Sequence, residues 1–165
     1  MQPHTIGRSG IGLNDILFAG IAGGLAEVVW VSLYASVTPL AGADVARQVT
    51  ATVFGPLATG GYAVEAGILI HFVLSIAIAA AFALTVVPAA FRRGGASSIV
   101  AASMAVLATI WCVNFFVVLP VANPQFLELM PLSVTLASKL MFGIAQGAIF
   151  AQARRRSYRA AFLHR

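Results

Sequence analysis

Charge is scarce in this chain. Asp, Glu, Lys and Arg make up 9% of its 165 residues, against about 25% in soluble domains, which excludes an ordinary core wrapped in a solvated surface. Cysteine is nearly absent. Cys112 stands alone, which excludes a disulfide within one chain and a thiolate metal cluster. Histidine is also rare, and only His71 falls in an apolar stretch, so one chain offers neither bis-histidine haem ligation nor a multi-histidine metal site. No Ser/His/Asp pattern, phosphate-binding glycine loop or acidic pair for magnesium occurs. The glycine-rich stretch 20–24 lies inside an apolar run and reads as packing. Neither catalysis nor a cofactor is expected.

What is present is apolar length. Hydrophobic residues reach 60% and gather in four runs, near 16–37, 64–90, 98–119 and 132–153. About 20 apolar residues cross a hydrocarbon core of about 30 Å, so each run is long enough to span a membrane. The expected fold is all-α: a four-helix transmembrane bundle forming a single domain over 1–165. The net charge of +5 does not point to nucleic acid, because the arginines flank the runs. Arg8 precedes the first, Arg92 and Arg93 separate the second and third, and Arg154, Arg155, Arg156, Arg159 and Arg165 follow the fourth. The other two connections carry Arg47, Asp44 and Glu128. The positive-inside rule then places both termini in the cytoplasm of a bacterial inner membrane. The basic tail 154–165 is expected on anionic lipid headgroups, at about 1 kcal/mol per nearby arginine. Ala41-Gly42-Ala43 resembles a signal-peptide cleavage site. The run before it is too long and carries Glu27, so cleavage is not expected.

The halves align as two helix–loop–helix hairpins. Trp30, Pro39 and Ala41 superpose on Trp111, Pro120 and Ala122. With His71 set on Lys139, Ile76, Ala77, Ala80, Phe82 and Ala83 match Ile144, Ala145, Ala148, Phe150 and Ala151. The first half has the longer connection, 43–61. There Val45, Val49 and Val53 recur every fourth residue, with Arg47, Gln48, Thr50 and Thr52 on other faces, before Gly55-Pro56 ends the pattern. This predicts a short amphipathic helix on the outer surface, placed to act as a lid.

Gly20 and Gly24, like Gly143 and Gly147, have the GxxxG spacing through which membrane helices approach closely. Ala77, Ala81, Ala101 and Ala105 repeat that spacing. Larger residues, among them Trp30, Trp111 and Phe115, lie toward the outer ends. The inner half is therefore expected to close tightly, and the outer half to frame a cavity or a partner's surface.

Five side chains deep within the runs are costly in hydrocarbon: Glu27, His71, Asn114, Lys139 and Gln146. An ionised group facing lipid costs about 2.5–3.5 kcal/mol, so these should point inward. Counting helical rise, Glu27, His71 and Lys139 share one layer roughly 10–15 Å below the outer boundary. An ion pair of Glu27 with Lys139, with His71 and Asn114 hydrogen-bonded to it, satisfies all four. The same carboxylate and imidazole would suit a proton pathway, with Glu65, Trp30 and Trp111 at its outer mouth. The expected role is a non-enzymatic accessory subunit or assembly factor, with membrane lipids, other subunits or further copies of itself as partners. The alternative is a small channel or proton-linked transporter.

Overall fold

The computed structural model describes residues 11–55 and 60–163, with side chains to residue 157. Arg8, Pro56 and Arg165, which enter the sequence reading, lie outside the described residues, as does the side chain of Arg159. Every regular element among the described residues is helical: α1 Leu13–Ser36, α2 Gly42–Phe54, α3 Ala63–Thr85, α4 Val87–Val113, a π-helical turn Asn114–Val118, α5 Leu119–Ala122, α6 Phe126–Leu129 and α7 Leu132–Leu163. Four stretches are long and apolar enough to cross a membrane: Leu13–Ser36, Ala63–Thr85, Val87–Ala122 and Leu132–Ser157. The chain is a multi-pass membrane protein.

Prolines and glycines set boundaries that hydropathy blurs. The second span stops at Thr85, short of residue 90, because a new helix starts at Val87 with Pro88 in its first turn. A missing N–H costs nothing there. This segment breaks at Gly94–Gly95, where Gly95 has φ +72°, a left-handed conformation that favours glycine. The third span proper follows. At its far end Pro120 has no N–H to offer, and its ring would strike the carbonyl of Phe116 in a regular helix. The helix widens by one residue instead, with the Leu119 N–H donating to the Asn114 carbonyl, and continues to Ala122. The same Trp-x8-Pro spacing ends differently in the first half. There α1 terminates at Ser36, before Pro39. Helix α7 runs on through the residues expected as a basic tail.

α1 and α4 run antiparallel to α3 and α7, and small residues set their spacing. A Cβ on Gly20 would lie 2.6 Å from the Ile76 Cα, and one on Gly24 would lie 2.9 Å from the Ser75 hydroxyl, so α1 approaches α3 backbone to backbone. On α7, Gly143 and Gly147 face the Cα atoms of Met104 and Val100 at 2.9 and 2.8 Å by the same measure. Gly23, on another face of α1, receives the Phe142 ring of α7. Ala77, Ala81, Ala101 and Ala105 take no such part. All four are exposed, because the helix faces that meet are the neighbouring ones.

α7 is the central element, packed on both α1 and α4, while α3 and α4 touch little. Near the arginines they are joined by a core of Ala79, Phe82, Ala83, Val87, Ile99 and Phe150. The opposite half of the gap is taken up by α2. It lies antiparallel along the start of α3, with the Ala46 carbonyl against Gly67 and the Thr50 hydroxyl donating to the Ala63 carbonyl at 2.5 Å.

Candidate functional site

Between α1, α2, α3, α4 and α7 lies a cavity of about 850 Å³. It follows α3 from Val64 to Ile78, roughly 20 Å at 1.5 Å per residue. Its walls are mostly apolar, with Val45, Val49 and Val53 contributed by α2. The polar groups form a layer across its depth.

Lys139 Nζ donates to both carboxylate oxygens of Glu27, at 2.6 and 2.8 Å. The side chains are 21% and 13% exposed, so the pair is largely withdrawn from solvent and the lysine holds one N–H in reserve. Ser138 stands beside them. Its hydroxyl is 3.3 Å from Glu27 Oε1 and 2.7 Å from the Thr135 carbonyl one turn back, and its one proton goes to the nearer acceptor. His71 makes no hydrogen bond to the pair. Its Nε2 lies 3.1 Å from the Gly24 carbonyl, and since a carbonyl only accepts, Nε2 carries the proton and Nδ1 is left free. The ring edge meets Phe72 at 5.4 Å.

Asn114 lines the same cavity from the π-helical turn. Its amide makes no hydrogen bond among the described residues, so the expected link to the ion pair is not made. Gln146 lies outside the cluster. It is fully buried two turns further along α7, donates to the Ser103 hydroxyl at 3.0 Å and leaves its carbonyl oxygen unpaired. Glu65 is exposed at the start of α3 and does not line the cavity.

The two tryptophans hold the first turn of α7 instead of lining a mouth. Trp30 donates to the Val134 carbonyl and Trp111 to the Thr135 hydroxyl, each at 3.0 Å. Trp111 also stacks on Phe115 and meets Phe116 edge-on. These anchors fix the helix that carries Lys139 one turn further in.

Sequence reasoning missed Asn123. The Asn123 amide nitrogen, nearly buried at the end of α5, shares its two N–H groups among the Gln48 carbonyl at 3.1 Å, the Gln48 side-chain oxygen at 2.8 Å and the Thr52 hydroxyl at 3.0 Å. It latches α2 across the gap between α3 and α5. No local signal marks it, since its partners come from far along the chain. Gly67 and Ser75 lie at four-residue spacing on the same helical stripe as His71, a stripe expected to face the bundle interior, but nothing in the sequence said what would approach them.

At the other end, Arg154 sits over the Phe91 ring at 4.7 Å, while Arg155 and Arg156 are exposed. The end of α7 thus meets the first segment of α4, which carries Arg92 and Arg93. Among the described residues no three His, Cys, Asp or Glu side chains gather as a metal site requires. Compared with known proteins, the chain matches no family model, no curated sequence and no solved structure.

Proposed function

We propose that this protein is a non-enzymatic accessory subunit or assembly factor of a larger membrane complex, in the cytoplasmic membrane of a bacterium. One observation carries the reading: the charged layer closes on itself. Both oxygens of Glu27 are taken by Lys139, and beyond them Phe82, Ile99 and Phe150 pack into a continuous apolar core. A conduit needs a polar route from one side to the other, and Gln146 with Ser103 is an isolated, fully buried pair. Buried ion pairs of this kind fix helix register more than they stabilise.

The gathering of Arg92, Arg93, Arg154, Arg155 and Arg156 at one end supports placing that end, and both termini, in the cytoplasm. Each GxxxG pair closes its own hairpin, α1 on α3 and α7 on α4, which favours a duplicated origin. α2 turns Val45, Val49 and Val53 to the cavity and leaves Arg47 exposed beside Asp44, as an amphipathic lid would. Outward-facing apolar side chains on α1, including Leu25, Val29 and Leu33, offer a flank for lipid or a partner helix. The second reading, a small channel or proton-linked transporter, is favoured by the cavity's reach to Glu27 and His71.

Gentle extraction of the full chain from its own membrane followed by native mass spectrometry tests the leading reading. A stoichiometric protein partner is expected. A chain that flies alone or only with copies of itself contradicts the subunit role and favours transport.

A further inference from the structure

The cavity has features that a merely structural ion pair does not need. Below α2 its wall is incomplete. Leu74 on α3 is 53% exposed and Val113 on α4 50%, although both line it. Those helices touch little, so the opening between them faces sideways, toward lipid. A lateral opening admits what is dissolved in the bilayer and not what is dissolved in water. At about 850 Å³ the space lies within the range of small-molecule sites, about 300–1,000 Å³.

The polar layer specifies the head. Lys139 has one N–H left after binding Glu27, His71 has a free Nδ1, and the Asn114 amide has both donors and its acceptor free. Each reaches the cavity from a different helix. The Glu27–Lys139 pair is neutral as a unit, so the layer has no spare positive charge for an anionic head, and a second carboxylate would meet Glu27. A cationic head would find the carboxylate already taken. An uncharged oxygen-bearing head matches these donors and acceptors, since each forms a hydrogen bond without an unpaired charge entering a low-dielectric space.

We propose that this cavity binds an uncharged long-chain amphiphile, its hydroxyl head accepting from Lys139 and Asn114 and donating to His71 Nδ1, and its tail leaving between Leu74 and Val113. The π-helical turn belongs to the site. It breaks the regular ladder where Asn114 points inward, and such turns recur at functional positions in helices. Asn123, by tying α2 to α5, holds the roof over the bound head. This site is independent of whether the protein is a subunit or works alone.

The test uses the full chain in liposomes with octadecanol carrying a photoreactive diazirine in its tail, followed by peptide mapping. Saturable labelling is expected on α3 and α4 around Leu74, Ile78 and Ile110, displaced by unlabelled octadecanol and poorly by octadecanoate at pH 9. Asn114→Leu, which removes a group without a protein partner, should weaken saturable labelling about 3–10-fold, the loss of one hydrogen bond. Ile110→Trp, which fills the cavity from its wall, should abolish it while remaining as folded as Asn114→Leu and the parent protein. Labelling that never saturates and falls on outward positions such as Leu25, Val29 and Leu69 would overturn the site. Equal competition by octadecanoate would overturn the uncharged head.

Discussion

Lys139→Met should destabilise the protein by about 3 kcal/mol, and adding Glu27→Leu to the same chain should restore most of the loss. The argument is one of unequal consequences. Removing one partner of a buried pair leaves an unneutralised charge at about 3–5 kcal/mol, whereas replacing both by apolar groups of similar volume is often neutral or better. Methionine keeps the shape of the lysine stem. Ser138 provides the carboxylate with little relief, since its proton lies closer to the Thr135 carbonyl than to Glu27, 2.7 against 3.3 Å. The lower end of the range applies because Glu27 retains 13% exposure. Thermal unfolding in detergent with a double-mutant cycle gives the coupling directly. A single variant as stable as the parent, or a double variant no better than the single, would show that the pair carries no load.

Gly67→Val should release α2 from the bundle. A Cβ at Gly67 would fall 1.9 Å from the Ala46 carbonyl oxygen and 3.0 Å from the Thr50 hydroxyl. The first of these is backbone, so no side-chain rotation relieves it and the whole helix must move. Overpacking of this kind costs about 1–3 kcal/mol. Displacement also removes the Thr50–Ala63 hydrogen bond and the three acceptors of Asn123. Tryptic cleavage after Arg47, which requires α2 to open locally, should accelerate by about tenfold or more. The long spans should remain intact, because α1, α4 and α7 do not depend on α2 for their contacts. Unchanged cleavage would mean that α2 is held by something other than its seat on α3.

These two sites differ in how far the sequence reveals them. Depth counting puts Glu27, His71 and Lys139 in one layer because helical rise is regular and polar residues are costly in lipid. The structure has all three lining one cavity. Their hydrogen bonds are another matter. His71 turns to the Gly24 carbonyl, and Asn114 stays unbonded, because the rotation of each helix depends on which neighbours it packs against. Gly67 looked like any other small residue on the His71 stripe. Its importance comes from α2, whose position no periodicity encodes.

The spans show the same division. Apolar length locates four of them, since the hydrocarbon thickness sets how much of each helix must be apolar. It places the end of the second five residues late, because Val86 and Val87 are as apolar as the helix they terminate. It also gives Pro39 and Pro120 the same standing. One follows the end of α1, and the other is absorbed by a π-helical turn at Asn114–Val118. Ala77, Ala81, Ala101 and Ala105 mislead for a related reason. Small residues permit close approach but do not compel it, and only the glycines sit on the faces that meet.

The measurement that most directly tests the central claim, a charged layer closed on itself above a sealed half-bundle, is proton flux into liposomes. The purified full chain is compared with its Glu27→Gln variant and with protein-free vesicles under an imposed pH gradient. The account predicts that all three leak equally. Flux that requires the protein and disappears with Glu27→Gln would contradict it and make the Glu27–Lys139–His71 layer a pathway.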